Sequence, residues 1–270
     1  MTTTATTPAA PRPRAQIPAK TLRTDRWWLA PLVTAVGLGA WVAYATVRVF
    51  LQKWYFSQGP GYHYLTPFYS PCISTGCDPD AAEVGRFIPA SRLIPFAALT
   101  LPFLLLFRLT CYYYRKAYYR AFWLSPPACA VPDGHKTYSG ETRFPLVVQN
   151  LHRYFFYAAV LISVVNTWDA IVAFHGTKGF GFGLGNVILV GNVVLLWAYT
   201  LSCHSCRHIT GGRLKHFSRH PLRYRFWMFV SKLNARHMLL AWVTLGTLAL
   251  TDFYVMAVSA GWFSDLRFVG

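Results

Sequence analysis

Five long apolar runs constrain what this chain can fold into more than any other feature. They cover about Trp27 to Phe50, Leu93 to Tyr114, Leu146 to Phe174, Leu184 to Ser202 and Phe229 to Phe263. A bilayer core of roughly 30 Å takes about 20 residues of helix, which each run supplies. With 54% hydrophobic residues, the chain has more apolar side chain than a soluble domain of its length needs for a core. Inside lipid the backbone must satisfy its own hydrogen bonds, so such runs become helices. The expected fold class is all-α: a polytopic integral membrane bundle of five transmembrane helices.

The net charge of +17 invites a nucleic-acid reading, but its distribution argues against one. The cations cluster at the ends of apolar runs and in particular loops, as the positive-inside rule expects. Arg115, Lys116, Arg120, Lys136 and Arg143 mark a loop at about 115–145 as cytoplasmic. Arg207, Arg213, Lys215, Arg219, Arg223 and Arg225 do the same for a loop at about 203–228. The loop at about 52–92 holds Asp78, Asp80 and Glu83 with fewer bases and should face outward. The membrane domain then covers residues 27–263, with the N-terminus cytoplasmic and the C-terminus outside. Residues 1–26, rich in Thr, Ala and Pro, lack the compact apolar core of a signal peptide and read as a flexible cytoplasmic tail. Residues 264–270 read as an outer tail.

Cysteine and histidine suggest chemistry. Cys72 and Cys77, in the outer loop, are placed to close a small disulfide. Cys203 and Cys206 end the fourth run, and on a helix they share one face. With alternating topology, His152 in the third run and His237 in the fifth come to the same depth as this pair. Ionisable groups at such depth usually face the bundle interior. Two thiols and two imidazoles can hold zinc tetrahedrally. They can equally hold a Rieske-type [2Fe–2S] cluster, and the two histidines alone can ligate a haem b. Cys111, Cys129 and His208 lie on the same side and are alternative ligands. At the opposite side Asp169, beside Trp168, and Asp252 are acids within apolar runs, suited to a proton route or the polar end of a quinone pocket.

The five-run layout and the basic loops occur together with the segments Arg108-Leu109-Thr110-Cys111-Tyr112-Tyr113-Tyr114-Arg115-Lys116, Gln149-Asn150-Leu151-His152-Arg153-Tyr154 and Cys203-His204-Ser205-Cys206-Arg207-His208. In these the chain resembles the membrane-anchor subunit (cytochrome b-type, C subunit) of an actinobacterial succinate dehydrogenase, from about Trp27 to Trp262. The resemblance implies a multi-pass protein of the bacterial cytoplasmic membrane that docks a flavoprotein with FAD and an iron–sulfur subunit with further clusters, and delivers electrons to quinone. It implies a complex that is catalytic only as a whole, and a higher oligomer of that complex is compatible with it. By the same resemblance Arg153, Ser231 and Arg236 become quinone-site residues at the cytoplasmic edge, and Trp168, Asp169 and Asp252 a second site. Two-haem members of the family use four axial histidines within their spans. Here only His152 and His237 lie inside runs, while His63, His135 and His175 fall in loops. A [2Fe–2S] centre on Cys203, Cys206, His152 and His237 uses the thiols that a haem leaves over, and it is the reading preferred to a single haem b or a structural zinc.

Overall fold

The computed structural model describes residues 23–70, 72–74, 83–88, 97–111, 119–124, 127–131, 135, 142–144 and 146–270. The first 22 residues lie outside these, as do Tyr112–Tyr118 and much of the loop at 115–145. The elements in order are α1 (Leu29–Leu51), β1 (Phe56–Gly59), β2 (Tyr62–Leu65), β3 (Cys72–Ser74), β4 (Glu83–Ile88), α2 (Ala97–Leu109) and α3 (His152–Val172). There follow β5 (His175–Gly176), β6 (Gly179–Phe180), β7 (Phe182–Gly183), α4 (Leu184–Leu201), α5 (His204–Gly211), α6 (Pro221–Asn234), α7 (His237–Ser259) and β8 (Arg267–Val269). The chain divides into two compact units, residues 1–38 with 109–151, and residues 39–108 with 152–270.

Among the described residues, four helices are long and apolar enough to cross a membrane: Leu29–Leu51, Val147–Val172, Leu184–Leu201 and His237–Ser259. At 1.5 Å per residue, the 23 residues of α1 reach about 34 Å, a full bilayer core. The second run differs. Its described helix, α2, has 13 residues with Pro102 inside it; Thr110 and Cys111 follow it, and residues 93–96 and 112–114 of the run fall outside the described residues.

The larger unit is built inside out relative to a soluble protein. Val47 on α1, Leu161 and Val164 on α3 and Leu239 on α7 are exposed, whereas Ser163, Asn166 and Asp169 on α3 and Thr244, Thr251 and Asp252 on α7 are buried. A lipid solvent produces this pattern: apolar side chains cost nothing outside, and polar ones hydrogen-bond between helices. Helix α4 packs between α3 and α7. Helices α3 and α7 begin, and α4 finishes, at the end holding Cys203, here the thiol end. The opposite end, holding Asp252, is the acid end.

The fifth apolar run is two helices. α6 stops at Asn234, and α7 starts at His237 after Arg236, whose backbone (φ −110, ψ 14) is not helical. Asn234 Nδ2 donates to the Ser202 carbonyl at 2.7 Å, which fixes the break against the end of α4.

The loops at the acid end are ordered as small sheets. β1 and β2 pair as an antiparallel hairpin, and β7 pairs with β8. The segment 264–270, expected as a tail, therefore contributes a strand and the buried Asp265. The Asp265 carboxylate accepts from Tyr64 Oη (2.8 Å), Tyr254 Oη (2.6 Å), the Gly185 amide (3.0 Å) and Arg267 Nη1 (3.2 Å). The first turn of α4 passes so close that a Cβ at Gly185 would strike the Tyr64 ring.

In the smaller unit, Arg23 forms an exposed ion pair with Asp25 at 2.6 Å and donates to the Cys129 carbonyl at 2.8 Å. His135 stacks on Trp123 and hydrogen-bonds its carbonyl at 2.8 Å.

Candidate functional site

At the thiol end two imidazoles from different helices converge on one dipeptide. His152, the first residue of α3, places Nε2 3.0 Å from Cys203 Sγ. His237, the first of α7, places Nδ1 2.6 Å from Ser202 Oγ. Ser202 Oγ also donates to the Tyr199 carbonyl at 2.6 Å. A hydroxyl has one proton, so His237 Nδ1 is the donor toward Ser202, and Nε2 of that neutral imidazole carries the lone pair.

Aromatic rings enclose the pair. Phe107 stacks on His152 with centroids 5.2 Å apart, Tyr199 stacks on His237 at 5.0 Å, and Phe107 meets Tyr199 edge-on at 5.4 Å. The Arg108 guanidinium lies 4.7 Å over the Tyr199 ring. It donates to the Ala241 carbonyl (2.9 Å) and to Thr244 Oγ1 (3.1 Å). A buried arginine inside an apolar run has to be paid for by such contacts. Arg108, Tyr199 and Thr200 also line a narrow cavity that continues to Ser163 and Asn166. Sequence reading passed over Arg108 and Tyr199 as site residues. The available signal was a lone cation closing the apolar stretch Leu101–Leu109.

The expected quartet is assembled only in part. Cys203 is the N-cap of α5, in extended backbone (φ −62, ψ 141), so Cys203 and Cys206 straddle a helix start instead of sharing a helical face. Cys206 is buried, and burial pushes its thiol up to about 11. Among the described residues, no group of three or more His, Cys, Asp or Glu side chains is poised to hold a metal ion. The physical reason is that each imidazole spends a hydrogen bond on a different neighbour, Cys203 or Ser202.

The alternative ligands are dispersed. Cys111 is buried just after α2, and Cys129 is exposed. His208 is exposed, and its Nδ1 accepts from Arg153 Nη2 at 2.6 Å. Cys77 and the side chain of Cys72 lie outside the described residues, and the disulfide expectation with them. At the rim, Ser231 Oγ accepts from Arg207 Nε at 3.0 Å, and Arg236 is exposed.

Asp252, assigned to a quinone pocket, is fully buried with both oxygens engaged: Arg48 Nε reaches Oδ2 at 2.6 Å, Arg48 Nη2 reaches Oδ1 at 3.2 Å, and Tyr44 Oη donates to Oδ2 at 2.6 Å. Asp252 is the bidentate ion-pair partner of Arg48. Asp169 accepts from Ser70 through Oδ2, while its buried Oδ1 has no partner. Its neighbour Trp168 is exposed.

Fold and site together define a multi-pass helical membrane subunit with imidazole and thiol donors gathered at one end. The family model described as actinobacterial succinate dehydrogenase subunit SdhC matches residues 29–261, and the chain belongs to that family. A solved structure, the Mycobacterium smegmatis Sdh1 complex in the apo form, contains a similar chain with 68% sequence identity and a TM-score of 0.87. That match covers 95% of this chain and 97% of the other. No curated protein matches.

Proposed function

We propose that this chain anchors the flavoprotein and iron–sulfur subunits of a succinate dehydrogenase to the cytoplasmic face of a bacterial membrane, and that electrons from succinate reach quinone at its thiol end. The carrying observation is the convergence of His152 and His237 on Ser202–Cys203, beside the buried Cys206. The cationic segment from Arg207 to Arg236 adjoins that end, and the positive-inside rule makes it the cytoplasmic side. Five spans with the N-terminus inside and the C-terminus outside complete this topology.

The donor set is right in kind for a Rieske-type [2Fe–2S] centre: two buried thiols and two neutral imidazoles at one level. Cys203, Cys206, His152 and His237 would hold it, and it would supply a one-electron step between the soluble subunits and quinone. Around that position this chain's own residues exclude water and orient the ligands. Phe107 and Tyr199 cover the imidazole faces, and the Ser202 hydroxyl fixes the His237 tautomer, the outer-shell arrangement that raises ligand basicity. Haem b on the same histidines is less well accommodated, because those two rings already pack against the imidazoles. At the rim Arg153, Ser231 and Arg236 offer charged and hydroxyl donors to a quinone oxygen. Trp168 and Asp169 are candidates for a second quinone contact at the acid end.

The test is metal analysis and EPR of the purified complex, reduced with dithionite, for the parent and Cys203→Ser. The reading expects iron in this chain and a [2Fe–2S] signal of low average g that disappears in Cys203→Ser while the subunits stay assembled. Zinc without such a signal, or a reduced haem b band that survives Cys203→Ser, would overturn it.

A further inference from the structure

Helix α6 has three distinct faces. One packs on the protein: Arg223 Nε donates to the Thr210 carbonyl at 2.9 Å, Trp227 meets the Arg207 guanidinium at 4.9 Å, and Val230 and Asn234 are buried. The second is an exposed apolar stripe of Leu222, Phe226 and Phe229, spaced i, i+4, i+7, with Leu222 78% exposed. The third carries Arg225 and Lys232, seven residues apart and both exposed. No carboxylate lies between Asp169 and Asp252 in the sequence, and among the described residues neither cation forms an ion pair.

The position of the helix is fixed by its last turn. Asn234 is bonded to the Ser202 carbonyl at the end of α4, and α7 enters the bundle at His237. The C-terminal turn of α6 therefore lies at the membrane edge. Its 14 residues, about 21 Å long, are too few to span. An apolar stripe directly beside a cationic one, on a helix level with the ends of spans, matches the layering of a bilayer edge: acyl chains, then phosphates. An acidic protein surface would answer the cations and leave the Leu222–Phe226–Phe229 stripe in water.

We propose that α6 lies in the membrane interface and that Arg225 and Lys232 form a binding site for the phosphate of an anionic phospholipid, with the adjoining stripe seated among its acyl chains. The site stands independently of which redox group the thiol end carries.

The experiment uses the purified complex in nanodiscs of phosphatidylglycerol with phosphatidylcholine, followed by native mass spectrometry of retained lipid. The parent complex should retain phosphatidylglycerol preferentially, and Arg225→Gln/Lys232→Gln should reduce that preference about tenfold or more while the subunits remain together. In parallel, a fluorophore on Leu222→Cys should be quenched by lipids brominated in the upper acyl chain. No phosphatidylglycerol preference in the parent would overturn the site, and an unquenched label would overturn the interfacial placement. Release of the soluble subunits by Arg225→Gln/Lys232→Gln would show instead that this face docks protein.

Discussion

The two ends of the larger unit hold their polar groups in opposite ways. At the acid end two formal charges are held on several sides: Asp252 by Arg48 and Tyr44, Asp265 by two tyrosines, an amide and Arg267. At the thiol end the buried donors are neutral imidazoles, thiols and hydroxyls joined by short contacts, His152 to Cys203 and His237 to Ser202. Saturated ion pairs in a low-dielectric interior hold a structure in one state. Contacts between neutral groups cost less to exchange, so their lone pairs can be redirected to another partner. The difference separates what closes the bundle from what is available for chemistry.

The largest expected effect comes from breaking the saturated end. Arg48→Met strands the Asp252 carboxylate among apolar neighbours and should destabilise the chain by about 3–5 kcal/mol. Arg48→Met/Asp252→Leu should recover most of that loss. Thermal denaturation of the detergent-solubilised complex checks both, and a double variant no better than the single would deny the pair its role. Next, Asp265→Asn weakens acceptors serving Tyr64, Tyr254 and Arg267 and should cost about 1–3 kcal/mol with quinone reduction per assembled complex unchanged.

The thiol end should reverse that ratio. Ser202→Ala removes one buried hydrogen bond and should cost only about 1 kcal/mol of stability. Its larger consequence is a loosened His237 tautomer, read as a shifted midpoint potential of the proposed [2Fe–2S] centre with succinate oxidation by the soluble subunits unaltered. A stability loss as large as that of Arg48→Met, with the potential unmoved, would erase the contrast between the ends.

The smallest effect is a titration. Burial pushes the Tyr69 phenol up to about 12, and its hydroxyl donates to the Val49 carbonyl at 2.6 Å. A raised acid pKa means that the folded state prefers the protonated form. This contribution is therefore complete below the ordinary phenol pKa of about 10 and is lost as pH climbs toward 12. Ultraviolet absorbance should show late ionisation that moves back toward the ordinary range on unfolding.

The spans were readable because lipid demands length and apolarity, both of which are local properties of a chain. α1, α3 and α4 fall close to where the apolar runs put them. The fifth run misled for a local reason too: α6 alternates Phe, Met and Val with Arg and Lys, so half of an amphipathic helix merges with the true span into one run. Pairings were not readable. Asp252 stood out as an acid within an apolar run, yet its partner Arg48 lies 204 residues away, and only packing chooses that pair. The same holds for the site. His152, Cys203 and His237 could be placed at one depth, but the choice of Ser202 as the second acceptor depends on which way the end of α4 turns.

Asp265 also sets an order of events in biogenesis. It lies 201 residues after Tyr64, so the ribosome delivers the outer hairpin long before the carboxylate that closes over it. Tyr64, Asn186 and Tyr254 must wait until α7 has been threaded and its far side has emerged. Completion of the acid end is thus coupled to insertion of the final span, and a chain stalled before that point would present an unlatched bundle to the quality-control proteases of the membrane.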